Sequence, residues 1–120
     1  MRIVGLDHVQ LAMPAGRESD ARAFYSGILG LSEVPKPPDL AQRGGAWFEN
    51  EAVKIHLGVE RDFHPARKAH PGILVQELEV LCARLRSAGY VPKDEPLSGY
   101  HRVYVDDPFG NRLELLERLP

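Results

Sequence analysis

The chain has a single cysteine, Cys82, so no disulfide can close within it, and its place in a helical pattern suits a small core residue. It has no surplus of basic charge. Fifteen Lys and Arg stand against seventeen Asp and Glu, a formal net charge of −2, which leaves no positive field to hold a nucleic acid. No apolar run approaches the roughly 20 residues that span a bilayer, and the N-terminus lacks the layout of a signal peptide. The expectation is a soluble, cytoplasmic protein without nucleic-acid or membrane partners. Neither a CxxC nor an HExxH spacing occurs, so no local motif announces a metal site. At 120 residues the chain is long enough for one domain with a real core and too short for two independent ones. Against these absences stand five histidines, and their placement matters more than their number.

Residues 1–13 alternate, with Leu6, His8, Gln10 and Ala12 on one face and Val9, Leu11 and Met13 on the other, which predicts a strand with a polar patch. From Arg17 to Leu29 the spacing becomes helical, Ala21, Phe24, Tyr25, Ile28 and Leu29 forming an apolar stripe that Gly30 ends. Leu31 to Val34 reads as a short strand, and the proline-rich 35–38 as a loop. Ala46 to Glu49 and Ala52 to Val59 form a hairpin around Asn50 and Glu51. Residues 61–69 are polar and contain Pro65. A second strand–helix pattern follows, with a strand from His70 to Gln76 and a helix from Glu77 to Ala88 closed by Gly89. A short strand then starts at Tyr90 and Val91, and Glu95 to Gly99 is a loop.

The chain ends in a hairpin, Arg102 to Asp106 and Arg112 to Glu117, around Asp107-Pro108-Phe109-Gly110-Asn111. Pro108 presets φ, Gly110 tolerates positive φ, and Asp107 and Asn111 can bond their own backbone. The order strand, helix, short strand, hairpin thus occurs twice. It predicts an α+β fold built as an internal repeat within one domain over 1–120, with module one at 1–60, a linker at 61–69 and module two at 70–120. One helix covers one face of each small sheet, and the uncovered faces would form a central cleft.

Strand phase selects the candidate site. His56 is opposite Ile55 and Leu57, His8 opposite Val9 and Leu11, and Glu114 opposite Leu113 and Leu115. His70 starts its strand opposite Ile73 and Val75. If the aliphatic sets meet the helices, His8, His56, His70 and Glu114 line the cleft. A carboxylate between leucines is costly unless a positive group meets it. Imidazole and carboxylate together suit zinc, nickel, iron(II), manganese or cobalt. The alternative for Glu114 is a structural ion pair with Arg102 or Arg112. Gln10, on the face of His8, could bond a substrate oxygen. Arg102 and Tyr104 share the phase of Asp106, and Arg102 is either an anion anchor or a partner of an acidic residue. Trp47 or Phe48 either floors a pocket or joins the core. Arg43 and His64 read as solvated, and His101 is ambiguous.

On Leu6-Asp7-His8-Val9-Gln10-Leu11-Ala12, Ala23-Phe24-Tyr25 with Leu29-Gly30-Leu31, Val53-Lys54-Ile55-His56-Leu57, and Asp107-Pro108-Phe109-Gly110-Asn111-Arg112-Leu113-Glu114-Leu115, the whole chain resembles the vicinal-oxygen-chelate superfamily. That superfamily holds glyoxalase I, bleomycin-resistance proteins, fosfomycin-resistance thiol transferases and extradiol dioxygenases. The small single-domain glyoxalase-family proteins are the most similar branch. The resemblance implies paired βαβββ modules, often in a homodimer. It also implies a divalent-metal enzyme acting on a small substrate with vicinal oxygens, by Lewis-acid or metal–oxygen chemistry. His8, His70 and Glu114 fall on the ligand positions of the family, and His56 on the fourth, usually Glu in glyoxalase I. That difference sets glyoxalase I chemistry in question and leaves His56 either a ligand or a base beside the metal. Glu114 and His56 are the catalytic candidates, and Tyr104 is similar to a substrate-contacting tyrosine of the fosfomycin-resistance branch. The alternative is a small-molecule binding resistance protein without turnover.

Overall fold

The computed structural model describes all 120 residues, which divide into two compact units, Met1–Phe63 and His64–Pro120. The first contains β1 (Val9–Met13), α1 (Glu18–Ala21), β2 (Ser32–Val34), α2 (Pro38–Ala41), β3 (Ala46–Glu49) and β4 (Lys54–Val59). The second contains β5 (Gly72–Leu74), α3 (Leu78–Ser87), β6 (Lys93–Asp94), β7 (Tyr100–Asp106) and β8 (Arg112–Arg118). Each unit has one four-stranded sheet, ordered β1-β4-β3-β2 and β5-β8-β7-β6. In both, the first and last strands run parallel and the other pairs antiparallel. The repeat read from the order of elements is therefore a repeat of topology, two βαβββ modules in an α+β chain. No helix is long and apolar enough to cross a membrane.

In the first unit the alternation of β3 and β4 sends Phe48, Ile55 and Leu57 to the helix-covered side, where they are buried with Met13, Phe24 and Tyr25. Phe24 meets Tyr25 edge-on at 5.0 Å, and Tyr25 stacks on Phe48 at 5.4 Å, so three aromatic rings fix the helical segment to the sheet. In the second unit α3 packs on β8 and buries Leu78, Cys82 and Leu85 over Val103, Val105, Leu113 and Leu115. Cys82 is a core residue as expected, with no disulfide. The carboxylate of Glu117 on β8 accepts the backbone N–H groups of Glu77 and Leu78 at 2.7 and 3.1 Å, so the sheet itself caps the start of α3.

The terminal hairpin is built around one buried carboxylate. Asp107 Oδ1 accepts the N–H groups of Phe109 and Asn111 at 2.8 and 2.9 Å, and Oδ2 accepts Asn111 Nδ2 at 3.0 Å. Gly110 sits at φ 90, as the Asp-Pro-x-Gly-Asn turn requires. The register that results, Asp106 opposite Arg112 and Tyr104 opposite Glu114, fixes which residues of β8 reach each face.

Besides shifts of a residue or two at strand and helix ends, the elements differ from the sequence reading in five places. Residues 1–8 form no strand, because the parallel register Val9 to Ile55 leaves them opposite the β3–β4 turn, where no ladder partner exists. Ile3, Val4 and Leu6 are in consequence 91, 86 and 81% exposed. The expected helix over 17–29 is a single α-turn followed by a π-helical turn, Arg22–Ser26, with Gly27 N–H bonding Arg22 O and Leu29 N–H bonding Phe24 O. Pro38 starts a short helix rather than continuing a loop, since a proline at the first helical position needs no N–H partner. His70 lies before its strand, which begins at Gly72 after Pro71. The short strand expected at Tyr90 and Val91 begins at Lys93, beyond Pro92.

Replacing Asp107 by Ala strands two backbone donors and one amide in a buried turn. It should lower unfolding free energy by about 3 kcal/mol. Urea denaturation measures it, and a loss indistinguishable from zero would remove Asp107 from its place as the organiser of the hairpin.

Candidate functional site

Each unit presents its helix-free face as a row of side chains across the sheet. In the first, the register aligns Gln10 with His56 and His56 with Trp47. Trp47 and His56 stack at 3.9 Å with their planes 4° apart, and His8 covers the other side of the pair, 4.3 Å from His56 at 19°. Phe48 lies in the core, and Trp47 is the aromatic residue of β3 that stacks on His56. His56 is only 6% exposed. Burial, reinforced by the neighbouring charge of His8, holds its imidazole below the ordinary histidine range. His8 Nδ1–H donates to Asp7 Oδ2 at 2.8 Å, so that whenever the ring is uncharged its lone pair is on Nε2. Lys54 lies 3.6 Å from the other oxygen of Asp7.

In the second unit the row is Gly72, Glu114, Tyr104 and Lys93. Glu114 N–H donates to Pro71 O at 3.0 Å, which draws His70 alongside although it lies outside the ladder. His70 Nδ1–H donates to Lys68 O at 2.6 Å, and Nε2 faces Glu114 Oε1 at 3.0 Å, where a proton on Nε2 makes a hydrogen bond to the carboxylate. A ring nitrogen and a carboxylate oxygen at that distance require a cation between them, either a proton or a metal ion. Glu114 Oε2 accepts Arg102 Nη1 at 3.0 Å, and Arg102 Nε donates to Glu95 O at 2.7 Å. The ion pair left open by the sequence is thus present and occupies one carboxylate oxygen, leaving the other for His70. Burial opposes ionisation of Glu114, but the hydrogen bonds from Arg102 and His70 outweigh it and hold the carboxyl below its ordinary value. Tyr104 stands 5.3 Å from His70 ring to ring, with the guanidinium groups of Arg102 and Arg112 at 5.2 and 5.1 Å from its own ring. A cavity of about 410 Å³ opens beside it, lined by Lys93, Glu95, Tyr104 and Arg112 among others.

The predicted residues therefore assemble as two sets: His8, Gln10, Trp47 and His56 on one face, His70, Arg102, Tyr104 and Glu114 on the other. No three histidine, cysteine, aspartate or glutamate side chains form a group that could hold a metal ion. His101 is drawn toward Glu79 and Asp94, at 3.5 and 3.7 Å, and His64 is exposed. Asp7 and the carbonyl of Lys68 were missed by sequence reasoning. Asp7 could have been suspected from its place next to His8, but a backbone carbonyl leaves no signal in a sequence.

The chain belongs to the Glyoxalase/Bleomycin resistance protein/Dioxygenase superfamily, whose model matches residues 5–115. It is similar along its length to a glyoxalase family protein of Bacillus anthracis, at 44% identity and TM-score 0.93, covering 99% of this chain and 100% of that one. Its fold is also that of the fosfomycin resistance protein FosX of Listeria monocytogenes. There the identity is 19% and the TM-score 0.80, over 98% of this chain and 95% of that one. That structure is a complex with Mn(II) and 1S,2S-dihydroxypropylphosphonic acid. Lactoylglutathione lyase of Agrobacterium tumefaciens shares the fold at 19% identity and TM-score 0.74, over 98% and 96%. No curated protein sequence matches the chain.

The two perturbed groups predict a pH dependence. His56 binds a proton less readily folded than unfolded, so its contribution to stability is complete above its ordinary pKa of 6.5 and is lost as pH falls below that value. Glu114 likewise contributes above its ordinary 4.5 and loses its contribution as pH falls through its lowered folded value, a separate and more acidic window. Metal-free protein should therefore melt at lower temperature as pH drops from neutrality toward 5.5, and His56→Phe, which keeps a stacking ring without a titrating group, should flatten that decline. An undiminished decline in the variant would assign it to other groups.

Proposed function

We propose that this protein is a divalent-metal-dependent enzyme acting on a small substrate with vicinal oxygens, with His8, His56, His70 and Glu114 as the ligand set of one ion. The observation that carries the reading is the state of the histidines. His8 and His70 each spend Nδ1–H on an oxygen acceptor, the arrangement that orients an imidazole for coordination through Nε2. His70 then aims that atom at a carboxylate oxygen already ionised by its surroundings. The donor set of imidazole nitrogen and carboxylate oxygen fits zinc, nickel, iron(II), manganese or cobalt. When bound, such an ion supplies Lewis-acid or metal–oxygen chemistry to a substrate that chelates it.

The chain's own residues do the rest. Arg102 holds Glu114 in place through Oε2. His56, kept neutral by burial and braced against Trp47, is either the fourth ligand or an acceptor for a substrate proton. Glu114 is the second candidate for moving a proton. Gln10, Tyr104 and Trp47 face the substrate and set its orientation. Each pair of ligands lies on its own unit, His8 and His56 on the first and His70 and Glu114 on the second, and the protein is read as a homodimer. The homodimer reading is supported by Ile3, Val4 and Leu6, apolar and exposed ahead of β1, an edge strand of its sheet. The alternative function is a binding protein that holds a small molecule without turning it over.

Chelator-stripped protein titrated with Mn(II), Zn(II) or Ni(II) in a calorimeter should take up one ion per ligand set. Glu114→Ala and His70→Ala should abolish uptake, and Arg102→Ala should weaken it about 10- to 100-fold. Uptake undiminished in both ligand variants would reject the assignment, and no uptake by the parent protein would reject metal dependence. Metal uptake with turnover of a diol, epoxide or hemithioacetal separates the enzyme from the binding protein.

A further inference from the structure

The first unit holds a second hollow, of about 260 Å³, whose lining includes Gln10, Lys36, Arg43, Gly44, Trp47 and Gly58. Two cations, an amide and an indole face it, and no carboxylate is in its wall. Arg17, Arg22 and Lys54 of the same unit are paired with Asp20, Glu33 and Asp7. Arg43 makes no ion pair, and Lys36 donates only to the carbonyl of Gly44. Glu18, whose carboxylate reaches this loop, already accepts the Gly45 N–H at 2.8 Å. Like charges gathered around one concavity repel one another and favour an anion between them. The space is also shaped. A Cβ at position 58 would lie 2.6 Å from Gln10 Nε2, so the missing side chain is what admits the Gln10 amide to the hollow.

We infer that this hollow is an oxyanion subsite: a phosphate, phosphonate, sulfate or carboxylate group bound by Arg43 and Lys36, with Gln10 Nε2 donating a further hydrogen bond and Trp47 as the wall. Arg43 contributes a planar fork of donors, and Lys36, anchored at Gly44, a charge of fixed position. Trp47 links the subsite to the face described above, since its ring lies flat on His56. Insofar as it rests on the proposed function, the inference names the substrate class: vicinal oxygens at one end and an anionic group at the other, the second seated beside Trp47.

Trp47 is the sole tryptophan, so its fluorescence reads the hollow directly. Metal-free full-length protein is titrated with inorganic phosphate at neutral pH and constant ionic strength, with the amide resonances of Gly44 and Gly45 followed in parallel. Saturable binding in the millimolar range is expected, as for a single small anion. Arg43→Gln and Lys36→Gln should each weaken it about tenfold, the worth of one charge-assisted hydrogen bond. Arg17→Gln, a cation outside the hollow, should bind as the parent does, and so should Glu114→Ala, which separates this result from the fate of the metal assignment. Circular dichroism verifies that each variant is folded. Equal weakening by Arg17→Gln and Arg43→Gln would show general charge attraction and overturn the subsite. So would the absence of any saturable response in both fluorescence and amide shifts. Repeating the titration with acetate and sulfate ranks the anion classes.

Discussion

A carboxylate buried in a tight turn sets the phase on which the second unit depends. Asp107 ties down the turn between β7 and β8, and that turn fixes the ladder. Because side chains alternate strictly along a strand, one residue of slip would put Leu113 and Leu115 on the open face and bury Glu114 beneath α3. The turn is therefore as much a part of the site as the residues that face it. The same ladder brings Tyr104 and Arg102 beside the carboxylate, so one local constraint orients three chemically distinct groups.

The two units share a plan and differ in chemistry. The first stacks three flat rings, His8, His56 and Trp47, and keeps its central imidazole neutral by burying it. The second surrounds a carboxylate with Arg102 and His70 and keeps it ionised despite burial. One face thus offers neutral nitrogen and the other anionic oxygen. The two units repeat one βαβββ topology, while the residues at matching positions, His56 on β4 and Glu114 on β8, differ in chemistry.

The sheet faces were legible in the sequence because a period of two leaves a direct trace: Ile55 and Leu57 against His56, Leu113 and Leu115 against Glu114. The terminal turn was legible because each of its residues has a separate backbone reason to be there. Strand limits were not, since residues 1–8 alternate as well as any strand and what they lack is a partner, which no local pattern shows. The π-helical turn escaped for a related reason. The stripe from Ala21 to Leu29 suits an α-helix, and the wider turn emerges only from where the backbone bonds fall. At the site, the sequence allows the ion pair of Arg102 with Glu114 without deciding it. The Lys68 carbonyl that accepts from His70 carries no side-chain signature at all.

The burial of Cys82 has a practical corollary. The thiol lies in the core beneath α3, and burial pushes its pKa up, so thiolate chemistry is suppressed. A cysteine placed at any chosen surface position would therefore be the one reactive sulfur of the molecule. The native chain is ready for single-site attachment of spin or fluorescent labels without first being engineered to remove its own thiol.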